Sequence, residues 1–244
     1  MTSQPNIPVK ALENNPSYPT WVTDELLRDY YDTEWGMPIT DERGLFEALS
    51  LEAFQVGLSW RTILARREAF RRAFEGFDPE RVVAFTDRDV ARLLQDEDII
   101  RNERKIRAVI SNARLTLRMR ELAATARDTS TEDIRLPLIA PSSTPTNTDS
   151  LEAANTRRRR VRTLSNEDLN RMWTTATPSE TIAPHTLEDI PTDTPESALL
   201  AKSFKALGGV FLGPVTAYAL MCAVGMVDAH LVGSHRRGCS GLFA

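Results

Sequence analysis

The sequence has few of the residues that build disulfide scaffolds and metal knuckles. Only two cysteines, Cys222 and Cys239, occur among 244 residues, and they form no CxxC pair. The chain also opens without a basic segment followed by an apolar one, so it shows no secretory signal. Low cysteine content without such a signal is typical of a reducing cytosol, and we expect a cytoplasmic protein.

A membrane-spanning segment is missing as well. The run from Val210 to Val227 has 18 residues without a charge, which approaches the length of a span. Gly213 and Pro214 interrupt it, however, and no basic anchor flanks it. The run therefore predicts a buried core helix of about 14 residues with proline in its first turn, and no membrane contact.

Acidic and basic residues are nearly balanced in number. The net charge is −4, and 41% apolar with 26% charged residues is ordinary for a soluble globular protein. An acidic balance argues weakly against nucleic acid, but net charge averages over faces and a local basic stripe matters more. The length allows one large domain or two small ones.

A helix-period pattern follows Asp41, which suits an N-cap or a first-turn acid. Its apolar positions are Leu45, Phe46, Leu49, Leu51, Phe54 and Leu58. Glu52, Gln55 and Ser59 fall at i, i+3 and i+7, so we predict one polar stripe beside the apolar one. We expect the helix to end near Trp60.

Aromatic residues flank Glu52 in the sequence. Tyr30 and Trp35 precede its helix, and Trp60 ends it. Aromatic faces around one carboxylate suit a pocket for a flat, electron-poor heterocycle. The alternative is that Glu52 is solvated on an amphipathic helix and that the aromatic residues belong to the core. The spacing by itself leaves both interpretations open.

Further helices follow along the chain. Residues 61–74 predict a second amphipathic helix with five arginines against one glutamate, and a solvated face explains this as well as DNA does. Asp78 and Asp87 each begin another short capped helix. Residues 197–208 predict a helix that glycines end.

Five separated stretches occur in the order found in one enzyme family. They are YYDTEWGMP at 30–38, LFEALSLEAFQVGLSW at 45–60, FDPERV at 77–82, IIRNERKIRAVISNA at 99–113 and FLGPVTAYALMCAVGMVDAHLVG at 211–233. With these stretches the chain resembles the constitutive, TAG-like 3-methyladenine DNA glycosylases, from about Trp21 to Gly233. Several blocks in the right order are far more specific than any single motif.

The resemblance implies an all-α chain with a compact helical glycosylase fold and a helix-hairpin-helix element. A single domain is expected at 18–237, between a disordered tail at 1–17 and a C-terminal tail at 238–244. Relative to the family, the chain carries a Pro-, Ser- and Thr-rich insertion at about 125–165. We expect this insertion to be a mobile loop whose arginine cluster is solvated.

The resemblance further implies a monofunctional DNA-3-methyladenine glycosylase of base-excision repair. It would bind double-stranded DNA as a monomer without a cofactor, rotate the alkylated base out of the duplex and hydrolyse its N-glycosidic bond, leaving an abasic site. By position, Glu52 would be the catalytic residue and would hydrogen-bond the base edge together with Tyr30. Trp60 would stack on the base and Trp35 would line the wall. Two alternatives remain open: a non-catalytic DNA-binding module of the same fold, and a glycosylase retuned to another damaged purine.

Residues 96–120 resemble the hairpin and second helix of the DNA-binding element, whose backbone N–H groups point at a phosphate. The DNA-contacting residues implied by position are Ile100, Arg101, Asn102, Arg104 and Lys105. Asp98 stands where the family usually has a glycine. Aspartate tolerates the left-handed backbone that a glycine implies, but its charge opposes a phosphate. A plain helical turn is the alternative.

The family resemblance also implies a zinc site that joins the two ends of the domain through two cysteines and two histidines. The residues at those positions here are Pro19, Tyr31, His230 and Ser234. Only His230 can bind a metal, so the tetrahedral site cannot form and we expect no metal. His230, His235 and Cys239 are close enough for an unrelated site, and a lone histidine at a helix C-terminus is the alternative. Packing of Trp21 and Tyr31 would then have to join the ends.

Overall fold

The regular elements of the described residues are helical, which confirms the all-α prediction. A computed structural model describes residues 18–128 and 182–241. Its helices are α1 (Glu25–Thr33), α2 (Glu42–Gln55), α3 (Trp60–Leu64), α4 (Arg67–Ala73), α5 (Pro79–Val82), α6 (Asp87–Gln95), α7 (Glu103–Asp128), α8 (Pro195–Ala206) and α9 (Pro214–Ala223), with 3-10 turns at Glu75–Phe77 and Leu187–Asp189. The predicted tail at 1–17 lies outside the described residues, as does the predicted insertion from residue 129 onward.

Helix α2 lies between two hydrophobic cores and is buried along nearly its whole length. Leu45 and Leu49 belong to the first core, which also contains residues of α7, α8 and α9. Phe46 and Phe54 belong to the second core, with residues of α4, α5, α6 and α7. Packing on both sides encloses Glu52. The predicted polar stripe of Glu52, Gln55 and Ser59 lines one cavity, although Ser59 lies beyond the end of the helix.

Helix α2 begins as predicted but ends earlier than expected. The Asp41 side chain accepts a hydrogen bond from a first-turn N–H at 2.8 Å. The helix stops at Gln55, because Gly57 turns the chain with φ +80° and Ser59 caps α3 through a backbone N–H at 3.2 Å. Trp60 therefore begins α3 instead of ending α2.

The arginine-rich segment at 61–74 forms two helices, α3 and α4, instead of one. Two of its arginines, Arg67 and Arg71, pair with acids on α2 and at the end of α1. Arg67 Nε lies 2.6 Å from Glu47 Oε1 and its Nη1 lies 2.5 Å from Glu34 Oε2, while Arg71 Nη2 lies 2.8 Å from Glu47 Oε1. Glu47 is buried on α2. These ion pairs tie α4 to α2, so neither a solvated face nor DNA is needed to explain them.

Replacing Glu47 by alanine should destabilise the fold, because Arg67 and Arg71 then lose their shared carboxylate. Hydrogen bonds to charged groups contribute about 1.5–3 kcal/mol, so we expect the free energy of unfolding to fall by that amount in a denaturant titration. The control is Glu68→Ala, which removes another partner of Arg71 that is 74% exposed. It should change the free energy of unfolding by less than about 0.5 kcal/mol, and equal effects of the two variants would contradict the assignment.

The two short helices that follow begin as predicted. Asp78 caps α5 by accepting a hydrogen bond from a backbone N–H at 3.0 Å. Helix α6 begins at Asp87, and Thr86 caps it in a capping box with Asp89. Helix α7 continues to Asp128, so the first residues of the insertion expected at about 125–165 belong to a helix.

The two C-terminal helices pack against each other, and α9 also packs against α2. Helix α8 is followed by Gly208 at φ +95°, as the sequence predicted. Helix α9 begins with Pro214, also as predicted, but it is ten residues long because the chain turns at Gly225 with φ +73°. Among the described residues, no helix is long and apolar enough to cross a membrane.

Candidate functional site

A cavity of about 640 Å³ is lined by residues of α1, α2, α3 and α9. Tyr30 comes from α1, Trp35 from the turn after it, Glu52 from α2 and Trp60 from the start of α3. Folding thus brings together the four residues that the sequence proposed for the base pocket. Residues 187–192 complete one side of the cavity.

Glu52 is 5% exposed, and its Oε2 atom has no hydrogen-bond partner among the described residues. Burial raises the pKa of this carboxyl to about 8, because a charged group is poorly solvated inside the protein. The carboxyl therefore keeps its proton at neutral pH. A positive charge brought next to it would favour the ionised form.

The buried carboxyl predicts a specific pH dependence of stability. Below pH 4.5 both the folded and the unfolded chain hold the Glu52 proton, and between about 4.5 and 8 only the folded chain does. The free energy of unfolding should therefore fall with rising pH across this window, by at most about 1.4 kcal/mol per pH unit. Glu52→Gln should remove this part of the decline.

The measurement is the difference in the free energy of unfolding between Glu52→Gln and the parent protein, taken by denaturant titration from pH 4 to 9. The difference cancels the contributions of other titrating groups. It should grow in favour of the variant as the pH rises and then level off. A constant difference would show that Glu52 is ordinarily solvated.

Aromatic rings form walls of the cavity. The rings of Tyr30 and Trp60 lie 5.3 Å apart and are tilted by 48°, whereas those of Tyr31 and Trp35 stack at 5.5 Å and 21°. Trp21 lies edge-on against Trp35 at 5.6 Å. The Nε1 atom of Trp60 is buried without a hydrogen-bond partner in the described part of the chain. The cavity therefore offers ring faces and a buried carboxyl, and the alternative of a solvated glutamate does not hold.

Helix α9 contributes a wall that the sequence analysis missed, because the analysis assigned the whole run to the core. Val215, Tyr218, Ala219, Cys222 and Ala223 lie on one face of this helix and line the cavity. The Tyr218 hydroxyl is buried without a hydrogen-bond partner among the described residues. Burial raises the pKa of Cys222 to about 12, so it remains a thiol. A tyrosine inside a run without charges was the signal that could have revealed this wall.

Comparison with known proteins decides the family. The chain matches the family described as methyladenine glycosylase over residues 21–130 and 129–237. The chain belongs to the methyladenine glycosylase family. It is 36% identical over 214 residues to DNA-3-methyladenine glycosylase 1 of Escherichia coli, which covers 87% of this chain and 92% of that relative. The resemblance inferred from the sequence is confirmed.

Solved structures of the methyladenine glycosylase family have the same fold. A crystal structure of 3-methyladenine DNA glycosylase I (TAG) matches with a TM-score of 0.66 and 34% identity, covering 88% of this chain and 95% of that one. The enzyme from Staphylococcus aureus, solved for the basis of its 3-methyladenine recognition, matches with a TM-score of 0.65 and 27% identity. That match covers 88% of this chain and 92% of the S. aureus chain.

The hairpin expected for this family corresponds to the turn between α6 and α7. The Asn102 side chain caps α7 by accepting a hydrogen bond from the Lys105 backbone N–H at 3.2 Å. The side chains of Arg101 and Arg104 are exposed beside this cap. Ile100 is half-buried and packs against the second core. Among the residues proposed to touch DNA, the two arginines thus face solvent at the start of α7.

Lys105 points inward, unlike a side chain that contacts DNA. It is buried, and its Nζ donates hydrogen bonds to the Phe54 carbonyl at 2.8 Å and to the Val56 carbonyl at 2.5 Å. These carbonyls belong to the last turn of α2, directly after Glu52. Lys105 therefore stabilises the end of the helix that carries the carboxyl, and its predicted contact with a phosphate is corrected.

Asp98 occupies the position where the family usually has a glycine, but its backbone is not left-handed. Its N–H donates to Asp96 Oδ1 at 3.0 Å, and its carboxylate lies 3.5 Å from Arg72 Nη2. Asp98 can therefore replace the family glycine without adopting a left-handed backbone. The nearby guanidinium also offsets part of the negative charge that would oppose a phosphate.

The zinc site implied by the family resemblance does not fit the side chains present. The hydroxyl groups of Tyr31 and Ser234 share a hydrogen bond at 2.6 Å, and Pro19 offers no side-chain ligand. His230 is buried with its Nδ1 atom 2.7 Å from Asp228 Oδ1. One histidine cannot hold a tetrahedral zinc, so no step of the reaction is assigned to a metal.

The alternative cluster of His230, His235 and Cys239 is not assembled either. His235 Nε2 lies 2.7 Å from Asp32 Oδ1, and the Cys239 Sγ atom lies 4.0 Å from His230 Nε2. No group of three or more metal-binding side chains occurs among residues 18–128 and 182–241. His235 instead contacts Asp32, and this contact helps to join the two ends of the described domain.

Direct packing and hydrogen bonds join the two ends in this chain. The rings of Trp21 and Tyr31 lie 5.6 Å apart, but both belong to the N-terminal part, so this contact alone does not join the ends as the sequence predicted. Contacts that bridge the ends come from His235, which lies edge-on against Tyr18 at 5.2 Å and places its Nε2 2.7 Å from Asp32 Oδ1. The Gly238 N–H donates to Asp228 Oδ2 at 2.8 Å. The domain therefore continues at least to residue 241, and the predicted start of a C-terminal tail at 238 is corrected.

Proposed function

We propose that this chain is a monofunctional DNA-3-methyladenine glycosylase of base-excision repair. It hydrolyses the N-glycosidic bond of 3-methyladenine in alkylated DNA and leaves an abasic site. The observation that carries this proposal is the buried, unpartnered carboxyl of Glu52 inside an aromatic cavity. A carboxyl in such a place discriminates strongly between a neutral and a cationic ligand.

The chemistry follows from the charge of the substrate. Alkylation makes the purine cationic in DNA, so it stacks favourably on the ring of Trp60, while Tyr30 and Glu52 face its edge. The positive charge also favours ionisation of Glu52. A cationic purine is already a good leaving group. The protein therefore needs to orient the extruded base, exclude bulk water and admit one water to the sugar. No cofactor or metal is assigned a step.

The DNA contacts are proposed at two places beside the cavity. The exposed Arg101 and Arg104 and the first-turn N–H groups of α7 suit a phosphate, with Asn102 as the cap. Val56 and Leu58 are 46% and 40% exposed on the turn between α2 and α3. Such apolar side chains enter the base stack when a protein distorts a duplex. We therefore propose double-stranded DNA as the partner. We also propose that the protein acts as a monomer and that it is located in the cytoplasm.

The direct test is release of free bases from dimethyl-sulfate-treated duplex DNA by the purified protein, measured by chromatography. The parent should release 3-methyladenine. Glu52→Gln should bind DNA normally but excise roughly tenfold to a hundredfold more slowly, because it loses a hydrogen bond to a charged group. Glu68→Gln, on the exposed face of α4, is the control and should excise at the parent rate.

The outcomes separate the alternatives. A protein that binds methylated DNA but releases no base would be a non-catalytic module. Release of other alkylated or deaminated purines, with little 3-methyladenine, would indicate a retuned specificity. Excision by Glu52→Gln at the parent rate would remove Glu52 from the site.

Arg104→Gln should weaken DNA binding in a salt-dependent manner. Each phosphate contact adds about 0.9 to the slope of log affinity against log salt, so the slope should become less steep by about 1. Arg107→Gln is the control on the same helix, since its guanidinium already pairs with Asp87 and Glu103 at 2.8 Å. Equal slopes for Arg104→Gln and the parent, measured by fluorescence anisotropy at several salt concentrations, would place the DNA elsewhere.

A further inference from the structure

Buried polar atoms on three of the residues that line the cavity lack a hydrogen-bond partner among the described residues. They are Glu52 Oε2, Trp60 Nε1 and the Tyr218 hydroxyl. Native proteins satisfy nearly all buried polar groups, and an unsatisfied one costs about 1–3 kcal/mol. Three such atoms in one cavity indicate a ligand that supplies their partners.

The family resemblance implied roles for Glu52 and Trp60 but none for Tyr218. The residue is 4% exposed on α9, in a helix that has no charged residue. A buried tyrosine hydroxyl normally finds a partner. The Cys222 thiol, one turn further along α9, is near enough to act as a weak acceptor for the Tyr218 proton, and a ring nitrogen would be a stronger one. Ala219 and Ala223 lie on the same face, and their small side chains leave space in the cavity beside the hydroxyl.

We infer that Tyr218 is a specificity-determining residue whose hydroxyl donates a hydrogen bond to a ring nitrogen of the extruded purine. This inference rests on the proposed function. The donor count supports it. Trp60 Nε1 can only donate, the protonated tyrosine hydroxyl can donate, and Glu52 can accept from an exocyclic amino group. A methylated adenine has one amino group and ring nitrogens with free lone pairs, so it matches all three.

The chemical form of Tyr218 agrees with a donor role. Burial raises the pKa of its hydroxyl further above the usual value, as does the neighbouring Cys222 thiol, so the proton stays on oxygen. A ligand that presented an N–H group to this hydroxyl could donate to its oxygen, but the hydroxyl proton would then be left with only the weakly accepting Cys222 thiol. The hydroxyl would therefore select against purines that carry a substituent or a proton on the nitrogen that faces it.

The test compares Tyr218→Phe with Tyr18→Phe, a matched loss of a hydroxyl outside the cavity. Tyr18 already donates to Asp32 at 2.9 Å. Binding of free 3-methyladenine is measured by titration calorimetry. Tyr218→Phe should bind this base about three- to tenfold more weakly than the parent does, and Tyr18→Phe should bind it as tightly as the parent. Without the base, Tyr218→Phe should keep or raise the unfolding midpoint, whereas Tyr18→Phe should lower it.

Base analogues identify the hydrogen bond itself. The 1-deaza and 7-deaza analogues of 3-methyladenine each replace one ring nitrogen by C–H. For one of them, the difference in affinity between the parent and Tyr218→Phe should disappear. A difference of the same size for both analogues, or equal affinity of Tyr218→Phe and the parent for 3-methyladenine, would overturn the inference.

Measuring excision by the parent protein distinguishes a failure of the Tyr218 inference from a failure of the proposed function. If the parent releases 3-methyladenine from methylated DNA while Tyr218→Phe binds the base like the parent, only the role of Tyr218 fails. If the parent neither binds 3-methyladenine nor excises it, the proposed function fails together with this inference.

Discussion

The rest of the structure depends on the burial of the Glu52 carboxyl, whose Oε2 atom has no hydrogen-bond partner among the described residues. Glu52 lies on a helix enclosed by two hydrophobic cores, where a charge is poorly solvated and the acid keeps its proton. Such a group destabilises the fold at neutral pH. It is retained at a place where a cationic purine would restore its favourable interactions, which is the property that an excision site for alkylated bases requires.

A buried functional group is useful only if its helix is held firmly, and α2 is fixed at three points. Asp41 caps its first turn, Glu47 binds two arginines of α4 in its middle, and Lys105 binds the carbonyls at its end. The last contact comes from α7, which begins at the proposed phosphate site. Lys105 therefore links α2, which carries Glu52 of the proposed base pocket, to the proposed phosphate site at the start of α7.

The junction of the two chain ends supports the same pocket. Trp21, Tyr31 and Trp35 line the cavity, and Tyr31 also shares its hydroxyl hydrogen bond with Ser234 near the C-terminus. Two hydroxyl groups and packed rings thus occupy positions at which the family resemblance implied metal ligands. Because these rings are also a pocket wall, the junction fixes both the fold and the shape of the site.

The sequence by itself determined the helical class, the family and the identity of the pocket residues Tyr30, Trp35, Glu52 and Trp60. Caps such as Asp41 and Asp78 were predictable too, because a cap depends on side chains and N–H groups within one turn. The burial of Glu52, the inward direction of Lys105 and the wall at Tyr218 were decided only by the tertiary structure. Each of these features depends on which distant helix covers the residue. Helical periodicity in the sequence predicts one apolar face of a helix, but it does not predict which elements pack against the other faces.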